Sequence, residues 1–122
     1  VDFLTKHKNV ERVIYPSVMD GYSKDRAEKY LTRGNGGLMG FEIKGGIEAG
    51  KKFINALEMV YHVANIGDSR SLAIHPGSTT HSQLNEEELL SAGITPGFVR
   101  LSIGLEHIDD IIADYEQALA KI

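Results

Sequence analysis

Two phrases hold the residues whose types and spacing could do chemistry: ANIGDSRSLAIHPGSTTH (Ala64 to His81) and FVRLSIGLEHIDD (Phe98 to Asp110). In the second, strand alternation puts Val99, Leu101 and Ile103 on one face and Phe98, Arg100 and Ser102 on the other. A guanidinium in mid-strand among small and apolar neighbours is costly to bury unless an anion pairs with it. Its planar fork suits a carboxylate bound through two parallel N–H groups. Two readings of Arg100 therefore stand: a carboxylate-binding residue, or an arginine on a solvated sheet face or in an internal ion pair. Asn65 ends an extended run just before a glycine turn, and Thr80 sits in the small-residue loop GSTTH. Either could bring an amide or a hydroxyl to a ligand, and either fits purely local hydrogen bonding equally well.

Other chemistries are easier to set aside. His75 and His81 invite a metal reading, but their spacing matches no helical metal pair and no cysteine or nearby acid completes a ligand set. The chain has no cysteine, which removes disulfides, thiolate metal sites and cysteine nucleophiles. No Ser-His-Asp arrangement is supported beyond the presence of those residue types. Gly34-Asn35-Gly36-Gly37 lacks the spacing and the Lys-Ser/Thr of a phosphate-binding loop and reads as a helix-to-strand connection. Lys51 and Lys52 lie off the apolar side of their helix and read as solvated. A formal net charge of -4 argues against a nucleic-acid binder. No apolar run is long enough for a membrane span and no signal-peptide pattern opens the chain, so a soluble cytoplasmic protein is expected.

The elements that must position these residues follow from periodicity. With 122 residues, 42% of them hydrophobic and 25% charged, one globular domain is expected. VDFLTKHKN reads as the last turns of a helix, apolar residues giving way to Lys6, His7 and Lys8 where cations suit the C-terminal end. Val10 to Tyr15 reads as a strand ended by Pro16, and Ser23 to Leu31 as a short polar helix with Ser23 as N-cap. Leu38 to Lys44 reads as a half-buried strand with Met39, Phe41 and Ile43 on one face. Ile47 to Tyr61 reads as an amphipathic helix through Phe53, Ile54, Leu57, Val60 and Tyr61. Val63 to Ile66 and Ser71 to His75 read as short strands joined by a Gly67-Asp68 turn. Asn85 and Glu88 form the two halves of a capping box, Gly93 closes that helix, and Thr95-Pro96-Gly97 is a turn. Phe98 to Ile103 is a strand, and the last helix runs from about His107 with an apolar stripe from Ile108 to Ile122. The expected architecture is α+β: one small, mostly antiparallel sheet covered by helices largely on one face.

Beyond that point the argument passes from the residues to a likeness. HPGSTTH combined with RLSIGLEHIDDI, together with IYPSVM, GGLMGFEIKGG and AGKKFINAL upstream, resembles the C-terminal end of the pyridoxal-phosphate enzymes of cysteine and methionine metabolism. The ANIGD wording is most similar to their O-acetylhomoserine sulfhydrylase branch, since the γ-synthases and γ-lyases usually carry serine at the Asn65 position. The resemblance implies that residues 1–122 are the small C-terminal, substrate-binding domain of a fold-type I transferase about three times longer. It implies pyridoxal 5'-phosphate as cofactor, held mainly by an absent large domain that also supplies the Schiff-base lysine, so no catalytic residue is expected in this chain. Arg100 matches the residue that binds the substrate α-carboxylate, Asn65 a position near that carboxylate, and Thr80 a hydroxyl lining the same pocket. The implied partners are the large domain, an amino-acid substrate and further copies of the enzyme in a dimer or tetramer. The implied alternatives are a cystathionine γ-synthase or methionine γ-lyase relative, or a non-catalytic binding or oligomerisation domain.

Overall fold

The computed structural model describes residues 1–122, the side chain of Glu86 excepted. Its helices are α1 (Asp2–Lys6), α2 (Gly21–Tyr30), α3 (Gly46–Ala56), α4 (Glu86–Ser91) and α5 (Ile108–Leu119). Its strands are β1 (Val10–Ile14), β2 (Leu38–Ile43), β3 (Tyr61–His62), β4 (Leu72–Ile74) and β5 (Phe98–Ser102). The five strands form one sheet in the order β1-β2-β5-β4-β3. Every neighbouring pair is antiparallel except β3 with β4, which is parallel. The mostly antiparallel α+β architecture expected from the pattern of elements is the one observed.

Alternation decides which face is core. Met39, Phe41 and Ile43 of β2 and Val99 and Leu101 of β5 are buried on the face against which α3 and α5 pack. Phe41 meets Phe53 of α3 edge-on, with ring centroids 5.5 Å apart, the preferred geometry for two ring quadrupoles. Ile111, Tyr115, Ala118 and Leu119 bury the stripe of α5, and Leu4 of α1 joins the same cluster. The other sheet face is treated differently. Ser23, Ala27 and Tyr30 of α2 stand across a cleft of about 560 Å³ from Ile14, Leu38, Phe98 and Arg100.

Three local expectations need correction. The first concerns α3, which ends at Ala56 rather than running on to Tyr61. The cause is Asp114 on α5: its carboxylate accepts the backbone N–H groups of Glu58, Met59 and Val60 at 2.9, 3.0 and 2.9 Å. Those donors would otherwise look back along the helix, so a buried acceptor opposite them ends it. The second concerns the segment after it. No hairpin joins residues 63–66 to β4; the strand is the shorter β3, paired in parallel, and residues 63–71 form an irregular strap between them. The third is small: α2 starts at Gly21, behind an extended Asp20, and not at Ser23. The Asn85/Glu88 capping box is present, with both reciprocal bonds at 2.9 and 3.0 Å.

Candidate functional site

Arg100 occupies the middle of β5, opposite Gly40 of β2 and Ile74 of β4. Its side chain leaves on the face away from the core, as alternation requires, and is half-buried. One Nη donates to the carbonyl oxygens of Ala64 and Asn65, at 3.0 and 3.3 Å. Among the described residues no carboxylate lies within ion-pair distance of it. A guanidinium has five N–H donors, and two neutral carbonyls on one nitrogen leave most of them, and the whole positive charge, uncompensated. The described residues show no internal ion pair for Arg100. An oriented fork with free donors is what a carboxylate ligand needs.

The partners of Arg100 come from the strap, and the strap is pinned along the outward face of the β5 phrase. The Gly67 N–H donates to Ser102 Oγ at 3.2 Å. The Leu105 N–H donates to the Ser69 carbonyl at 2.8 Å. Ser71 donates to Glu106 twice, from its backbone N–H to Oε1 at 2.7 Å and from Oγ to Oε2 at 2.8 Å. The same Ser71 Oγ accepts from the Gly104 N–H at 2.9 Å. Burial pushes the Glu106 carboxyl up, but these donors outweigh it and hold it below the usual range. Within the strap, Arg70 bonds to Asp68 and stacks over the Tyr61 ring at 4.6 Å. Those hydrogen bonds hold the Asp68 carboxyl down at about 2.

The three residues singled out from sequence are placed unequally. Asn65 is beside Arg100, but its recorded bond is through its backbone carbonyl, and its side chain is exposed. Thr80 is exposed on the turn after a 3-10 segment at Pro76–Ser78, where its hydroxyl is bonded to His81 Nδ1 at 2.8 Å. No hydrogen bond joins it to Arg100 or Asn65 among the described residues. His75 is fully buried, with Nε2 donating to the Pro96 carbonyl at 2.7 Å and Nδ1 accepting from Ser78 Oγ at 2.8 Å. Burial pushes its pKa down, and the role of the ring is structural. No group of three potential metal ligands exists among the described residues. Sequence reasoning missed Ser71 and Glu106. The signal was available in part, since Ser102, Gly104 and Glu106 continue the every-second-residue face of Arg100.

Likeness to known proteins places the chain in a family. Residues 1–120 match the family described as Cys/Met metabolism PLP-dependent enzyme. The chain belongs to that family. It is 57% identical to the O-acetyl-L-homoserine sulfhydrylase of Leptospira meyeri, over 99% of this chain and 28% of that protein. It is 47% identical to the L-methionine gamma-lyase of Fusobacterium nucleatum subsp. polymorphum, over 100% of this chain and 31% of that protein. In three dimensions it resembles a Campylobacter jejuni protein described as an O-acetylhomoserine (thiol)-lyase, whose crystal structure contains a pyridoxyl-lysine monophosphate. The TM-score is 0.86 at 44% identity, covering 98% of this chain and 28% of that one. The chain thus spans less than a third of the length of each of these relatives.

The family is PLP-dependent, and the described residues can be tested against that cofactor. Lys44 donates to the Lys8 carbonyl and Lys51 pairs with Glu48 on α3. No hydrogen bond joins a lysine to Arg100 or to the strap among the described residues.

Proposed function

We propose that this chain is the C-terminal substrate-binding domain of an O-acetylhomoserine sulfhydrylase, a cytoplasmic homo-oligomeric transferase, dimer or tetramer, in which Arg100 grips the substrate α-carboxylate. The observation that carries the proposal is the Arg100 fork: oriented by two backbone carbonyls and without a carboxylate partner among the described residues. The branch is supported by the names and identities of its relatives, 57% in Leptospira meyeri and 48% in Thermus thermophilus. In the overall reaction acetate leaves the γ-carbon of O-acetylhomoserine and sulfide takes its place, giving homocysteine. Pyridoxal phosphate, held by the large domain, supplies the electron sink that makes the substrate C–H bonds acidic.

The contribution of this chain is orientation. Arg100 binds the carboxylate through two parallel N–H groups, which fixes the α-carbon relative to the large domain. Asn65 stands next to that anion and can donate its side-chain amide to it. Thr80, exposed on the turn after Ser78, is assigned to the same pocket by the family resemblance alone. No proton moves on any of the three.

Arg100→Ala in the full-length enzyme is expected to lower kcat/KM for the amino-acid substrate by the equivalent of about 2–4 kcal/mol, because a desolvated carboxylate loses its partner. The KM for sulfide stays unchanged. Steady-state kinetics with each substrate varied in turn make the test, and a kcat/KM within about threefold of wild type sinks the assignment.

A γ-lyase reading draws on the 47% identity to the Fusobacterium enzyme, and the products separate the two. Sulfide-dependent homocysteine formation supports the sulfhydrylase. Release of 2-oxobutyrate without any added thiol supports the lyase.

A further inference from the structure

We infer that Glu106 is a positioning residue for Arg100, acting through the strap and never touching substrate. The inference rests on the reading that Arg100 binds the substrate carboxylate. Its basis is geometric. Arg100, Ser102 and Glu106 project on one side of a single run of chain, and each holds a different point of the strap: residues 64–65, Gly67 and Ser71. The carbonyl oxygens that orient the guanidinium therefore sit on a segment whose far end is fixed by the Glu106 carboxylate.

The fixing is tight at that end. Glu106 takes both donors of Ser71, and the Ser71 hydroxyl in turn takes the Gly104 N–H. Gly104 has no room for a Cβ, because the Ser69 and Arg70 backbones lie against it. A charged acceptor on two donors of one residue is stronger than neutral bonds. Elsewhere the strap has few anchors of its own: Asn65, Ile66 and Gly67 are exposed, and Gly67 has a left-handed backbone at φ +79°. Without the Glu106 end, the segment carrying the Ala64 and Asn65 carbonyls is held by neutral bonds alone: Val63 N–H to the Ala73 carbonyl, Gly67 N–H to Ser102 Oγ and Leu105 N–H to the Ser69 carbonyl.

The test uses the full-length holoenzyme and three variants: Glu106→Ala, Glu106→Gln and Arg100→Ala. Glu106→Ala should raise KM for the amino-acid substrate about tenfold, as outer partners of ligand-holding groups commonly do, with kcat and the KM for sulfide little changed. Glu106→Gln, which keeps one acceptor oxygen for the Ser71 N–H, should recover part of that loss. In an Arg100→Ala background Glu106→Ala should add nothing to KM, because its effect runs through the missing guanidinium. Amide hydrogen exchange of residues 64–71 should quicken in Glu106→Ala whatever the activity. If Glu106→Ala fails to fold, Ser71→Ala removes the hydroxyl arm alone and should show the same KM pattern more weakly. A KM effect that adds fully to that of Arg100→Ala, or no KM effect in Glu106→Ala while Arg100→Ala has one, overturns the inference and leaves the carboxylate reading intact. No effect in Arg100→Ala overturns both.

Discussion

Asp114 shows how one side chain can decide the path of a chain on which function depends. It lies inside the apolar stripe of α5, is buried, and accepts three backbone N–H groups and the Gln117 amide. Burial alone would raise its pKa. The donors outweigh that and hold the carboxyl below its ordinary 3.8. Asp114→Asn keeps the shape but turns one acceptor into a donor facing donors, and should cost about 2–4 kcal/mol at neutral pH. Because the folded carboxyl is held below 3.8, its contribution is fully present above 3.8 and is lost as pH falls from there through the folded value. The stability gap between wild type and Asp114→Asn, read from urea midpoints of the full-length protein, should therefore be wide at pH 7 and shrink at about pH 3. A gap that does not narrow with acid removes the charged-acceptor explanation for the end of α3.

At the scale of elements, the contact between α3 and the turn after β4 sets two effects against each other. Gly50 lies in the interior of α3, where alanine would be favoured by about 1 kcal/mol on propensity. A Cβ there would overlap the His75 ring, and that ring is bonded at both nitrogens and cannot step aside. Overpacking a fixed neighbour costs about 1–3 kcal/mol, so Gly50→Ala should destabilise by about 1–2 kcal/mol, and the loss should largely vanish in a Gly50→Ala/His75→Ala double variant compared with His75→Ala alone. Thermal melts of the four proteins decide it. Alternation placed Arg100 on the outward face and Met39, Phe41 and Ile43 in the core, and the Asn85 cap was visible as a spacing, because these are local rules. The end of α3 was not legible, since it depends on Asp114, 54 residues beyond Val60 in sequence, and neither was the parallel β3, whose partner β4 lies beyond the irregular strap. Glu106 escaped notice for the same reason: its partner Ser71 is 35 residues away.

For the whole molecule, the question is what this chain does without the rest of a longer relative. Its core is one continuous cluster joining β2, β5, α3 and α5, so a folded domain is expected from residues 1–122 alone, within the size range where single domains fold. The other face of the sheet differs. The cleft between α2 and the sheet is lined by Ile14, Met19, Tyr30, Leu38 and Phe98 and opens beside Arg100, and the lysines of the described residues with a recorded partner are engaged elsewhere. On the proposed reading, in which a separate large domain holds the cofactor, the isolated chain should fold, show the circular dichroism of an α+β protein, and retain no pyridoxal phosphate after incubation and gel filtration. It should form no homocysteine from O-acetylhomoserine and sulfide. Co-expression with the large domain on a separate chain should restore cofactor binding and turnover, and Arg100→Ala in the small chain should then weaken turnover without reducing the cofactor retained. Stoichiometric cofactor on the isolated chain would mean that the attachment point lies within these 122 residues, and the division of labour between a cofactor-holding domain and a carboxylate-holding one would fall.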